Sequence, residues 1–332
     1  MNRTSTQLAT ALFAAGLLFA AGHASAGAII YNTGDSTTAT VAMGINDEGH
    51  LNLSAGSIVS NSGATGLAAK FPDGSWRDAT SPGCYCEGWG VSVNGTTSGY
   101  ANISSDGGAT NLTVDSFAST ASTATSMVSL SSLPGLKVTH AYSPSDNAPG
   151  VLFKTVVTIT NTTGATVNDL KYVRVMDWDV PPTEFSEYVT IKGTSATALE
   201  QSGENGFNSA NPLAAYSSYG ACDDIDCTDI GPRDHGAYFR FNFGSLADGE
   251  SFTFTTFYGA AATEAAALAA LVAEGAGLYS FGQQNGDPTN GTPATFIFAF
   301  DGVGDPAVPE PASMALLGVG ALGLAMARRR KA

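Results

Sequence analysis

Basic residues are scarce in this chain of 332 residues. Lys and Arg together number 14 against 29 Asp and Glu, and the formal net charge is −15. A surface of this sign repels nucleic acid and anionic lipid, because both are negatively charged. The composition therefore argues against a nucleic-acid partner, whereas divalent cations and neutral glycans are compatible with it.

The chain also lacks the common signatures of catalysis. It contains no Gly-x-Ser-x-Gly nucleophile motif and no Gly-rich phosphate loop. Gly34-Asp35-Ser36 begins like a lipase block, but Thr37 stands where leucine is expected. Histidine, the most frequent general base, occurs only four times. These absences predict a protein that is not an enzyme and has no cofactor.

The N-terminus has the pattern of a secretory signal. Arg3 precedes an apolar stretch from Leu8 to Ala21, and Ala24-Ser25-Ala26 fits the small-x-small rule for cleavage. A permanent N-terminal anchor is the alternative, but the stretch is short and ends in small residues. We therefore expect a signal peptide over residues 1–26, with a hydrophobic helix in it.

The C-terminus has three parts that follow one another closely. Val308-Pro309-Glu310-Pro311 is followed by sixteen uncharged residues, Ala312 to Ala327, and then by Arg328-Arg329-Arg330-Lys331. As a helix the uncharged stretch is about 24 Å long, against about 30 Å of bilayer hydrocarbon. It would span a membrane marginally, with the basic cluster on the cytoplasmic side. An ordinary C-terminal anchor is one interpretation.

The motif Pro309, Glu310, Pro311, with its apolar stretch and basic end, resembles the PEP-CTERM sorting signal of Gram-negative, biofilm-forming bacteria. The resemblance implies transient inner-membrane anchoring through 312–327 and cleavage by an exosortase, a membrane transpeptidase-like enzyme. It also implies delivery to the cell surface or the extracellular matrix. It covers only the segment 308–332 and assigns no activity to the body.

Removal of both ends would leave a body of residues 27–307 with 9 basic and 28 acidic residues, a net charge of −19. Its runs of β-branched and aromatic residues predict an all-β fold. Closely spaced strands with turn signals between them favour an extended antiparallel β-sandwich. A hairpin is predicted from two of these runs, Val151–Thr160 and Leu170–Met176, which are joined through the turn cluster Asn161–Gly164. Further strands are predicted at 136–142, 237–243, 251–258 and 294–300, with shorter candidates near 38–44, 50–60, 65–71, 88–93, 97–103 and 109–130.

One short Ala-rich helix is predicted near 263–274. Thr263 can cap it, and Glu264 follows in the first turn, where the helix dipole favours an anion. The alanine and leucine residues after it are strong helix formers, and Gly275 ends the pattern.

The four cysteines are Cys84, Cys86, Cys222 and Cys227. Export to an oxidising compartment favours disulfides, and three connectivities are open. Cys222 and Cys227 close a short loop readily, whereas a Cys84–Cys86 bridge spans one residue and is expected to be strained. Cross-bridges between the two loops avoid that strain. A four-thiolate zinc site is a further alternative, although the spacings fit it poorly.

The strand that ends at Met176 continues into a cluster of acids. Asp177 and Asp179 are two residues apart and share one face of the chain, while Trp178 points the other way. Glu184 and Glu187 follow a turn that contains two prolines. Three interpretations are open: a solvated strand end beside a core tryptophan, a calcium site, or the acid and base of a glycosidase with Trp178 stacking on a sugar.

A second acidic cluster lies between Cys222 and Cys227 and just after them. Asp224-x-Asp226 begins like a calcium loop, but the glycine and distal glutamate of an EF-hand do not follow. The loop is therefore either a plain acidic surface or a calcium site pinned by a disulfide. The candidate ligands are Asp223, Asp224, Asp226 and Asp229.

Together these patterns predict an exported protein with a structural or adhesive role at the cell surface or in the biofilm matrix. It would associate with exopolysaccharide, with calcium as an aid. The alternative is a secreted polysaccharide hydrolase. Its acid and base would come from Asp177, Asp179, Glu184 and Glu187.

Overall fold

The computed structural model describes residues 27–286 and 294–304. In these ranges the chain forms nineteen strands and one helix, which confirms the all-β prediction. The hydrophobic helices predicted at the two ends lie outside the described residues. Within the described ranges, no helix has the length and apolar character needed to cross a membrane.

The elements follow in chain order. They are β1 (Gly27–Tyr31), β2 (Val41–Asn46), β3 (Leu67–Lys70), β4 (Trp76–Asp78), β5 (Gly88–Val93), β6 (Thr97–Asn102), β7 (Gly108–Thr110), β8 (Leu112–Ser119), β9 (Ala124–Leu130), β10 (Leu133–Pro144), β11 (Leu152–Asn161), β12 (Lys171–Trp178), β13 (Glu187–Lys192), β14 (Leu199–Gly203), β15 (Cys227–Arg233), β16 (His235–Asn242), β17 (Ser251–Ala261), α1 (Glu264–Glu274), β18 (Leu278–Gln283) and β19 (Thr295–Asp301).

The strands form three antiparallel sheets. The largest has nine strands in the order β15-β13-β18-β19-β17-β11-β10-β9-β8. The second has six strands, β14-β16-β12-β5-β6-β7, and the third is the meander β1-β2-β3-β4. The sheets pack in a sandwich-like arrangement, as the sequence predicted.

The main core lies between the nine-stranded and six-stranded sheets. Phe239 of β16 packs edge-on against Phe298 of β19, with ring centroids 5.5 Å apart. Alternation along β19 directs every second side chain into this core, because successive strand residues point to opposite faces. The inward set is Phe296, Phe298 and Phe300, and the outward set is Ile297 and Ala299.

The predicted helix is confirmed as α1. Thr263 precedes it with extended backbone, and its Oγ1 accepts a hydrogen bond from the Ala266 N–H at 3.2 Å. Gly275 ends it with a φ of 76°, a left-handed conformation that glycine adopts without strain. Ala267 and Leu271 are buried where the helix covers the outer face of the nine-stranded sheet.

β11 and β12 do not pair, so the predicted hairpin is wrong. β11 lies between β10 and β17, whereas β12 lies between β5 and β16 in the other large sheet. The connection is longer than the roughly two to five residues of a hairpin loop. It crosses between the sheets and is held midway, where the Val167 N–H donates to the Leu246 carbonyl at 3.0 Å. The candidate strand near 50–60 is reduced to isolated bridges at Leu51 and Leu53.

A fully buried ion pair lies inside the core. Arg174 of β12 donates from Nε to Glu87 Oε1 at 2.5 Å, and neither side chain is exposed. Glu87 Oε2 accepts from the Leu51 N–H at 2.6 Å, and Tyr258 donates to Oε1 at 3.3 Å. Arg174 Nη1 donates to the Gly49 carbonyl at 3.2 Å. The pair thus links strands of both large sheets to the segment after β2.

Candidate metal centre

The end of β12 places two aspartates on the face opposite the core. Trp178 is fully buried, and its Nε1 donates to Ser280 Oγ of β18 at 3.1 Å. Because residues alternate along the strand, Asp177 and Asp179 lie together on the other side, as the sequence predicted. The core position of Trp178 overturns the idea that this ring stacks on a sugar.

A third aspartate arrives from a distant part of the chain. Asp234 connects β15 to β16, and the first residues of β16 pair with the end of β12, His235 opposite Trp178 and Gly236 opposite Asp177. The backbones are in close contact here: a Cβ at Gly236 would lie 2.0 Å from the Met176 carbonyl oxygen. This close approach brings Asp234 next to the pair on β12.

One carboxylate oxygen from each of Asp177, Asp179 and Asp234 lies within 4.8 Å of the others. Asp177 is 1% exposed and Asp179 is 0% exposed, whereas Asp234 is exposed. The backbone of Asp179 is fixed by a 2.8 Å hydrogen bond from its N–H to the Ala79 carbonyl. The group is therefore closed on the β12 side and open to solvent beside Asp234.

Three buried oxygens of this group have no hydrogen-bond donor in the described part of the chain. Among the described residues, Asp177 Oδ1 and both side-chain oxygens of Asp179 have no partner. Asp78, a buried aspartate nearby in the fold, is different, because its carboxylate accepts bonds from the N–H groups of Gly66, Thr80 and Ser81. An unpaired buried polar group costs about 1–3 kcal/mol, and more when it is charged. Within the described ranges, the fold supplies donors to Asp78 and none to the side chain of Asp179.

Burial and mutual repulsion act on these acids in the same direction. Burial raises the pKa of Asp179 to about 10, and repulsion from Asp177 and Glu187 adds to the shift. Burial, followed by repulsion from Asp234, holds the pKa of Asp177 well above its usual range. The charged forms of these acids are therefore strongly disfavoured unless a cation joins them.

Glu187, the first residue of β13, adds a fourth carboxylate to the surroundings. Its Oε1 accepts from the His235 N–H at 3.0 Å, and its Oε2 has no partner among the described residues. Burial raises the pKa of Glu187 to about 8, although the bond from His235 opposes the shift. Burial also lowers the pKa of His235 to about 4, so this ring stays neutral and brings no positive charge.

Arg233 is adjacent to Asp234 in the chain, but its charge is directed elsewhere. Its Nη2 donates to Glu204 Oε1 at 2.6 Å. Its guanidinium carbon lies 4.9 Å from the centre of the Tyr219 ring. Glu204 also accepts from the backbone of Ala221, so this arginine belongs to a separate ion pair.

A disulfide forms part of the wall of the centre. Cys84 is bonded to Cys86, and Cys84 Sγ lies 3.3 Å from Asp177 Oδ2. Cys222 is bonded to Cys227, so of the three open connectivities the structure has the one without cross-bridges between the loops, and no thiol is left for the alternative zinc site. The chain turns at Tyr85 and brings the Cα atoms of Cys84 and Cys86 to 5.2 Å, within the usual span of a bridge.

The acidic loop around Cys222–Cys227 is arranged differently from the centre. Within the described ranges, the group of three or more potential ligands within 4.8 Å is the one at Asp177, and the loop aspartates are not in it. Each of them accepts a hydrogen bond from a neighbouring segment, and calcium binding there stays a prediction. The donors are Tyr216 and Ser218 for Asp223, Ser202 for Asp224, Thr194 for Asp226 and Thr190 for Asp229.

The sequence pointed to part of the centre only. Glu184 is outside the close group, and its Oε1 accepts from Asn61 Nδ2 at 3.1 Å. The sequence did not indicate that Asp234 lies near Asp177, because Asp234 follows the Cys222–Cys227 disulfide loop in the chain. The available signal was its position directly before a strand with an alternating aromatic pattern.

Residues 307–331 match the PEP-CTERM protein-sorting motif. The chain is therefore an exported protein that carries a signal for processing by exosortase and sorting to the cell envelope or surface. Among curated proteins, none matches the chain.

Proposed function

We propose that this protein has a non-catalytic, structural or adhesive role at the cell surface or in the extracellular matrix, where it associates with exopolysaccharide. The observation that carries the proposal is the sorting motif at 307–331, which follows shortly after the last strand of the sandwich. The same proposal includes a signal peptide at the N-terminus, a membrane-anchored intermediate and a final location in a biofilm matrix.

The outer face of the nine-stranded sheet supports the choice of a glycan. Hydroxyl side chains stand opposite one another on β11 and β17: Thr158 Oγ1 is 3.1 Å from Thr253 Oγ1, and Thr160 Oγ1 is 2.9 Å from Ser251 Oγ. Thr139 of β10 continues the row opposite Thr158. A row of solvent-facing hydroxyls offers hydrogen-bond donors and acceptors to the hydroxyl groups of a sugar. These hydrogen bonds need no charge on the glycan, so the negative charge of the chain does not oppose them.

The hydrolase alternative depends on the carboxylates around 177–187. A glycosidase needs two carboxyl groups about 5–10 Å apart across a cleft that a sugar can enter. Asp177 and Asp179 are 1% and 0% exposed, and their oxygens lie within 4.8 Å of each other. This arrangement favours the non-catalytic proposal.

Two measurements test the proposed role. Intact-mass analysis of protein from the surface of producing cells should show a chain that lacks residues 1–26 and the C-terminal sorting segment. Full-length chain at the surface would contradict the proposed processing. The recovered protein should also bind exopolysaccharide isolated from the same cells without shortening it.

The hydroxyl row gives a matched pair of variants for the binding experiment. Thr158→Val with Thr253→Val removes two exposed hydroxyls from the sheet, and loss of about 1 kcal/mol for each should weaken binding about tenfold or more. Thr120→Val with Thr123→Val removes a similar exposed pair from the turn after β8 and should leave binding unchanged. Turnover of the glycan that is lost in Asp177→Asn would promote the hydrolase instead.

A further inference from the structure

We infer that Asp177, Asp179 and Asp234 bind one calcium ion. The three side chains come from two separate segments, and one oxygen of each lies within 4.8 Å of the others. Ligands of one calcium ion each lie about 2.3–2.6 Å from it, so two of them are separated by at most about 5 Å. The observed grouping therefore fits a shared ion.

The unpartnered oxygens point to the same ligand independently of the grouping. Asp179 is fully buried, and neither of its side-chain oxygens meets a donor among the described residues. Asp78 shows that this fold can supply three backbone donors to a buried aspartate where it needs them. At Asp179 a metal ion supplies the missing interaction.

The groups around the three aspartates add negative charge to the site and do not neutralise it. Glu187, the first residue of β13, also keeps a buried side-chain oxygen that has no partner among the described residues. Arg233, the basic residue next to Asp234, is paired with Glu204. A divalent cation offsets this concentration of charge, as no single ammonium or guanidinium group could.

The donor set selects calcium over other common ions. All three ligands are carboxylate oxygens, which suit hard cations, whereas zinc prefers nitrogen and sulfur. Magnesium demands near-ideal octahedral geometry, whereas calcium accepts the irregular oxygen set that two aspartates at one strand end and a third from a separate segment provide. Asp234 is exposed, and this side provides the path of entry and room for water ligands.

Calorimetric titration of the EDTA-treated full chain with calcium chloride is the direct test. We expect one site with a Kd of about 0.1–1 mM, the range of extracellular calcium modules, and much weaker binding of magnesium. Asp234→Asn should weaken calcium binding about tenfold or more. Asp248→Asn removes one charge from an exposed aspartate elsewhere and should bind like the wild type.

Thermal unfolding separates an ion site from a merely structural role for Asp179. In 10 mM calcium the wild type should gain a few degrees in Tm, and Asp179→Asn should gain nothing. In EDTA the Tm of Asp179→Asn should equal or exceed that of the wild type, because the amide carries no charge to bury. An equal effect of calcium and magnesium on all variants, or equal calcium titrations of Asp234→Asn and Asp248→Asn, would overturn the inference.

Discussion

The buried pair of Arg174 and Glu87 gives the sharpest prediction for stability. Arg174→Met removes the 2.5 Å bond to Glu87 and the 3.2 Å bond to the Gly49 carbonyl. Methionine fills most of the same space, so the loss is mainly electrostatic. The carboxylate of Glu87 remains at 0% exposure, and its partners among the described residues are then the Leu51 N–H and the Tyr258 hydroxyl. Removal of one partner of a buried ion pair costs about 3–5 kcal/mol, and we expect a loss in this range.

The double variant tells whether the unpaired charge is the cause. Glu87→Gln keeps an oxygen that can accept from Leu51 and Tyr258 but has no charge. Added to Arg174→Met, it should recover part of the loss, so the double variant should be more stable than Arg174→Met alone. Urea unfolding of the four proteins measures this cycle. Losses that add to within about 0.5 kcal/mol would refute the reasoning, because independent sites behave in that way.

Three further predictions concern single features of the fold. Burial lowers the pKa of His50 from 6.5 to about 3, so the unfolded state binds more protons between these values and stability falls as pH drops through this window. His50→Gln should remove up to about 1.4 kcal/mol per pH unit from that slope, measured as the free energy of unfolding in urea at pH 6 and pH 4. Thr263→Ala should cost about 1 kcal/mol by removing the cap of α1, visible as a lower Tm. If the acidic loop binds a second calcium ion, Asp224→Asn with Asp226→Asn should abolish one step of the calorimetric titration; an unchanged titration would leave the loop as a plain surface.

The features that were predicted correctly depend on residues that are close to one another in the chain. The alternation around Trp178 placed Asp177 and Asp179 on one face, because the period of a strand is fixed by its backbone. Thr263 and Gly275 marked the ends of α1, since capping depends on residues within one turn.

The features that the sequence did not predict depend on contacts between segments that are far apart in the chain. The pairing of β11 and β12 looked plausible from their closeness in sequence, but each strand found partners in a different sheet. Asp234 joins the centre only because β16 pairs with β12, a register that spans more than fifty residues of chain. The ion pair of Arg174 and Glu87 likewise joins segments 87 positions apart, which no periodicity reveals.

The place of β19 in its sheet has a mechanical consequence. This strand ends at Asp301, and the sorting motif begins at residue 307. It is not an edge strand: seven residue pairs join it to β17 on one side and six join it to β18 on the other. A pull on the C-terminal segment along the strand therefore acts on two ladders of backbone hydrogen bonds in shear, and both must break together before the strand can leave. A sheet connected to its sorting segment through an interior strand resists tension from that end better than one connected through an edge strand, which can be peeled away one pair at a time.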